Sequence, residues 1–191
     1  MGDVGVYPGN REAWASAQVA LAGQEVAPPV PADIAAAHPY VVAGIVVFDV
    51  WIHNVDRHEE NLIYHPSLGL WIIDHDQCLA GSQADLATTL RGSKESLTKS
   101  WAFVAADVHQ GHAGDWINRI KSCSAAAVEQ VVRGVRDRHL ATAEEAEAIR
   151  VFLSYRSSNL GDLVRRSVGW PGKDEPTTDA GEGTKGGQLW S

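Results

Sequence analysis

Between Tyr40 and His53 this chain of 191 residues is apolar on nearly every side. Val41, Val42, Ile45, Val46, Val47, Phe48, Val50, Trp51 and Ile52 leave no polar face, which is the pattern of a segment buried all round. Periodicity alone does not separate a buried helix from a buried strand here. The fourteen-residue length selects helix, although the valines lower its propensity. The segment reads as the central helix of an α-rich domain. Asp49 is the exception within it. A carboxylate in that position needs hydrogen-bond partners, and the loop directly after the helix is the obvious source.

That loop carries the chemistry. Asp56-Arg57-His58-Glu59-Glu60-Asn61 sets an aspartate and an asparagine five positions apart, and Asp74 follows thirteen residues further on. Leu62–Tyr64 and Leu70–Ile73 read as two short strands, with His65-Pro66-Ser67-Leu68-Gly69 as the turn between them. A hairpin of this kind returns Asp74 to the loop that holds Asp56 and Asn61. Two carboxylates and an amide oxygen suit magnesium, a hard ion that takes oxygen ligands and retains several waters. Kinase-type phosphoryl transfer needs such a set, with one carboxylate at the acceptor hydroxyl and an amide and a second carboxylate holding the metal against ATP. The expected roles are therefore Asp56 as base or hydroxyl-orienting group, and Asn61 and Asp74 as metal ligands. Arg57 and His58 balance the local negative charge, and Asn54 fixes the loop by bonding to its backbone.

The stretch Val47-Phe48-Asp49-Val50-Trp51-Ile52-His53-Asn54-Val55-Asp56-Arg57-His58-Glu59-Glu60-Asn61-Leu62, followed by Leu70-Trp71-Ile72-Ile73-Asp74-His75, resembles the catalytic core of HipA-like kinases. These are related to the phosphatidylinositol 3/4-kinase-like branch of the protein-kinase-like fold. The family pattern is "fDa-x-x-x-N-x-DR-x-x-x-N", a hairpin, then "LW-x-IDHG". The resemblance covers about thirty-five residues well and the remainder loosely. It implies a C-terminal kinase lobe, mainly α with a small β-hairpin, that uses Mg2+ and ATP to phosphorylate a hydroxyl, most simply a protein Ser or Thr. It maps the catalytic position to Asp56, within the loop that includes Arg57 and His58, and the metal positions to Asn61 and Asp74. Asn54, His75 and Asp76 fall on the cofactor side of the same motif.

The chain departs from the family in two places. Asp76 stands where the family has glycine, and it either joins the magnesium shell or faces solvent. Before Asp56 there is no lysine and only one arginine, Arg11, so no upstream residue serves as the phosphate-pairing lysine of a kinase N-lobe. An N-lobe that was lost, one encoded upstream of a start codon called too late, and one supplied by a partner protein are the three expectations for that lobe. For function, a degenerate kinase acting as a non-catalytic binding module is a second expectation beside the kinase, and a Mg-dependent phosphoester hydrolase a third. His53, His58 and His75 invite a zinc or two-metal hydrolase, but His53 and His58 are five apart and no HExxH occurs.

The remaining composition narrows the partners. A net charge of −8 argues against nucleic acid and against an electrostatic anchor on anionic lipid. Cys78 and Cys123 give no CxxC spacing, which fits a reducing cytoplasm. The N-terminus lacks a secretory pattern, and the apolar stretch before Asp49 falls far short of the roughly 20 residues that span a bilayer. Residues 1–31 read as an N-terminal segment with a Pro-rich linker, including a short helix from Arg11 to Leu21 capped by Asn10, with Trp14, Val19 and Leu21 as apolar contacts. Residues 32–168 read as the lobe itself, with helices near 96–107, 114–121, 125–137, 143–154 and 160–167. Thr142-x-x-Glu145 forms a capping box for the fourth of these. Residues 169–191 are too polar to bury and read as a disordered tail in which Trp170 carries little weight. Arg91, Lys94 and Lys99 lie in a Ser/Thr-rich stretch read as a solvated loop.

Overall fold

The structure is a computed structural model that describes residues 3–7, 11–15, 28–65, 69–79, 81, 85–100, 102–123 and 125–171. Among these, the elements run β1 (Asp3–Tyr7), β2 (Arg11–Ala15), α1 (Pro31–Ala37), α2 (Pro39–Ile52), β3 (Leu62–His65), β4 (Gly69–Ile72) and α3 (Leu86–Ser93). Then follow α4 (Gln110–Lys121), α5 (Ala125–Asp137), α6 (Ala143–Ser158) and α7 (Leu160–Val168), with single 3-10 turns at Glu59–Asn61 and Ala105–Asp107. The fold is mainly helical, with two separate two-stranded antiparallel sheets.

α2 is the central helix its sequence demands. Val42, Ala43, Val47 and Val50 are buried, and α1, α4, α6 and α7 all pack against it. Proline starts both α1 and α2, at the first position where a missing N–H costs nothing. His38, ahead of Pro39, has ψ 52° and so breaks the helical path between them. The close approach of α4 depends on Gly44, where a Cβ would lie 2.5 Å from Trp116 Cε2. A second, smaller core joins α3 to α6 through Ala87, Leu90, Ala148 and Phe152. Among the described residues no single helix is long and apolar enough to cross a membrane.

The β3–β4 hairpin pairs Leu62 with Ile72 and Ile63 with Trp71, and Gly69 takes a φ of 84° at its turn end. Residues 66–68 of the expected turn lie outside the described residues. Thr142 and Glu145 make the reciprocal capping box that the sequence indicated.

Four expectations need correction. Arg11–Ala15 is a strand paired with Asp3–Tyr7, not the start of a helix, and residues 16–21 lie outside the described residues. Pro31 opens α1 and does not end a linker. The expected helix over 96–107 is absent as far as Val104, with Trp101 outside the described residues. There Ser100 Oγ accepts from Phe103 N (3.2 Å), Ser167 Oγ accepts from Thr98 N (3.0 Å), and Arg57 O accepts from Ala102 N (2.9 Å). Side chains and a neighbouring loop thus satisfy donors that a helix would have used. The helix in this region lies earlier, at α3, where Asp85 caps the N-terminus by accepting from Thr88 N at 3.0 Å. Finally, Trp170 packs against the main core just beyond Gly169, the left-handed cap of α7. The tail from 172 onward lies outside the described residues.

Candidate functional site

α2 ends at Ile52, and His53 caps it in the left-handed conformation, φ 54°. The chain therefore turns sharply and runs back along the helix end as the loop 54–61. Asp49, the exception in the apolar run, is what the loop folds onto. Arg57 is 0% exposed and grips both carboxylate oxygens, Nε to Oδ2 at 3.0 Å and Nη2 to Oδ1 at 3.1 Å. This two-pronged geometry is the strong form of an Arg–carboxylate pair. Asn54, also 0% exposed, donates from Nδ2 to Asp49 Oδ1 (3.1 Å) and accepts from Asp56 N on its own oxygen (3.2 Å). The bond to the loop backbone is the one expected of it.

The same guanidinium ties the loop to the hairpin. Arg57 Nη1 donates to the carbonyls of Asn61 (3.1 Å) and Ile73 (2.8 Å), while Ile73 N donates to Asn61 O (3.1 Å). Residues 61 and 73 are thereby held side by side. Asn61 is buried, and its Nδ2 donates to Asp56 O at 2.8 Å. That bond fixes the amide plane and leaves Oδ1 as its remaining acceptor. Asp74 follows immediately, exposed and in the left-handed region at φ 53°. Backbone of this kind is costly for a residue other than glycine, though aspartate and asparagine tolerate it best. Leu79 is also left-handed, φ 55°, and its N–H donates to Ile52 O (2.9 Å), pinning the segment after Asp74 to the end of α2.

The loop and the returning strand thus hold Asn61 beside Ile73, the residue before Asp74, while the Asn61 amide holds the Asp56 carbonyl. Asp56 has a half-exposed side chain, with His58 Nε2 4.0 Å from its Oδ2 and Glu60 Oε2 3.9 Å from the other ring nitrogen. Arg57 and Asn54 stand behind the site: with no exposed surface, neither can touch a substrate or nucleotide, and both act by positioning. His75 Nε2 lies 3.1 Å from Arg57 Nη2. Since the guanidinium only donates, that nitrogen accepts, and burial together with the Arg57 charge holds the His75 pKa below the usual range. His75 is therefore a partner of Arg57. Asp76 is exposed and accepts from Gln77 Nε2 (3.0 Å). Burial, with the neighbouring Asp49 carboxylate, pushes the Cys78 thiol up to about 12, so it is no thiolate nucleophile.

Arg156 was not singled out by sequence. It is 0% exposed and donates to the carbonyls of Val50, Trp51, Lys94 and Ser96 and to Thr98 Oγ1. Burial lowers its pKa to about 10, and it remains a cation at neutral pH. Thr98 Oγ1 in turn bonds His53 Nδ1 at 2.8 Å. Arg156 thus fastens the end of α2 to the 94–98 segment, and nothing in the sequence of α6 marks this one arginine as turned inward. Of the cations in the Ser/Thr-rich stretch, Arg91 pairs with Glu144 (2.8 Å) and Lys94 covers the Tyr155 ring (4.8 Å).

Among the described residues, no three or more His, Cys, Asp or Glu side chains are grouped to hold a metal ion. His53 and His75 are engaged with Thr98 and Arg57 instead. A magnesium site of the expected kind needs only Asn61 and Asp74 from the chain, the remaining ligands being water and phosphate oxygens. No protein-family model, curated protein or solved structure matches this chain significantly.

Proposed function

We propose that this chain supplies the acceptor and metal-binding half of a phosphoryl-transfer site, in a C-lobe similar to that of HipA-like kinases. The observation that carries the reading is the double grip of Arg57. Locked on Asp49, it donates to Asn61 O and Ile73 O at once and so holds the Asp56 loop against the strand that delivers Asp74. The donors offered are carboxylate and amide oxygens, the set that suits Mg2+ carrying ATP. Bound there, Mg-ATP supplies a γ-phosphoryl group whose charge the ion partly neutralises.

The chain's own residues do the rest. Asp56 accepts a hydrogen bond from the acceptor hydroxyl and takes its proton as the new P–O bond forms and the bond to ADP breaks. Asn61 fixes Asp56 through the Asp56 carbonyl and would hold the metal through its remaining oxygen, Oδ1. Asp74 presents its carboxylate from a backbone strained into position. The outward face of the hairpin supports the nucleotide end of the reading. Ile63, Trp71 (54% exposed) and Ile73 (40% exposed) alternate with the core residues Leu62, Leu70 and Ile72 and make an apolar surface beside Asp74. Such a surface fits the flat face of a base. The acceptor is a hydroxyl, most simply a protein Ser or Thr.

A second reading has its own observation: with no lysine before Asp56, the phosphate-pairing cation must come from elsewhere. Without it the chain is a binding module. Thermal shift with millimolar Mg-ATP separates the two. Phosphoryl-transfer geometry predicts a magnesium-dependent rise in melting temperature that Asp74→Asn abolishes without lowering the ligand-free melting point, since asparagine accepts the left-handed backbone. Asp56→Ala keeps the shift and loses transfer to a hydroxyl. Retained binding in Asp74→Asn contradicts the metal assignment, and no shift in the wild-type chain favours the binding module.

A further inference from the structure

A cleft of about 320 Å3 opens between the second half of α2, the 98–108 segment and the end of α7. Val46, Val50, Phe103, Val108 and Val168 supply apolar lining. Thr98, Lys99, Ser100 and Ser167 supply polar lining. Each serine oxygen already accepts a backbone N–H, Ser100 from Phe103 and Ser167 from Thr98, so each has its hydroxyl hydrogen left to donate. Lys99 is exposed, and no carboxylate among the described residues pairs with it. Asp49 also lines the cleft, but its charge is paired with Arg57, and Arg57 and Asn54 occupy three of its acceptor positions. The polar lining therefore offers hydroxyl donors and the Lys99 charge beside a carboxylate that is already paired.

We propose that this cleft binds a small monoanion with an apolar body, of the chemical class of medium-chain carboxylates. The headgroup meets Lys99, Ser100 and Ser167, and the tail lies against Val46, Val50 and Phe103. The volume is near the lower end of small-molecule pockets, about 300–1,000 Å3, which admits one such molecule. None of Asp56, Asn61 and Asp74 lines the cleft, so the proposal stands apart from the phosphoryl-transfer reading.

Octanoate titrated into the 15N-labelled chain, without metal or nucleotide, tests it, with octanol as the uncharged counterpart. Expected are saturable amide shifts confined to residues 98–108, 167–168 and the facing turn of α2. Octanol binds roughly tenfold more weakly or worse, and Lys99→Met raises the octanoate Kd by a similar factor, the value of a charged hydrogen bond. Val168→Trp, which fills the cleft from the end of α7, removes the shifts while an unchanged melting curve shows the fold intact. Three results would overturn the site: no shifts at millimolar octanoate; shifts centred on the apolar groove lined by Val41, Phe48, Leu70 and Trp116; or octanol binding as tightly as octanoate.

Discussion

Arg57 lies between two part-exposed neighbours, Asp56 and His58, and has no exposed surface of its own. Its guanidinium spends its donors on Asp49, two carbonyls and His75. Lysine cannot reproduce that fork, so Arg57→Lys loses the two-pronged pair and at least one carbonyl contact. Arg57→Ala leaves Asp49 buried and uncompensated, a loss of about 3–5 kcal/mol. Urea denaturation should show Arg57→Lys intermediate between wild type and Arg57→Ala. Equal stability of all three proteins would contradict the anchoring role. The sequence announced half of this. Asp49 in an apolar run demanded a partner from the following loop, and Arg57 and Asn54 met that demand. It did not announce that Arg57 would be inside, because an arginine between an aspartate and a histidine reads equally well as a surface charge. Arg156 was invisible for a sharper reason: its partners are carbonyl groups, which leave no trace in residue identity.

The end of α2 is where elements are joined. His53 caps the helix, bonds Thr98 on the 96–104 segment and lies near the Arg156 charge, and burial with that charge lowers its pKa to about 4. In the unfolded chain the ring titrates near 6.5. Between these values the unfolded state binds more protons, so stability is complete above pH 6.5 and declines as pH falls toward 4, by on the order of 3 kcal/mol. Chemical denaturation at pH 7 and pH 5 should show this fall in the wild type. It should be clearly smaller in His53→Asn, which keeps the left-handed cap but cannot titrate. An undiminished fall in the variant would assign the effect to other groups. Elements with strong internal signals were legible: the apolar run of α2, the hairpin at β3–β4, the capped α6. The 96–104 segment was not, since its serines and threonine decide between helix and loop through Ser167 and Arg57, residues far away in sequence. α3 was missed because its signal, the Asp85 cap, is a single residue within a polar stretch.

Across the whole molecule, α2 organises the core while its last turn organises the site. The hairpin is apolar on both faces, inward against α2 and outward beside Asp74, whereas a strand facing water on one side ordinarily alternates with polar residues. On the proposed reading, that outward face is where the nucleotide base lies. The convergence of loop and hairpin followed from sequence spacing, but the means did not: it is a buried guanidinium bridging two carbonyls. On the proposed reading, Asn61 and Asp74 hold one divalent ion beside the Asp56 carboxylate. Mn2+ with ATP, added to the 15N-labelled chain, measures this directly through paramagnetic broadening. The account predicts broadening centred on the amides of residues 56, 61 and 74, displaced by excess Mg2+ and lost in Asp74→Asn. Broadening centred elsewhere, or unchanged in that variant, would contradict it.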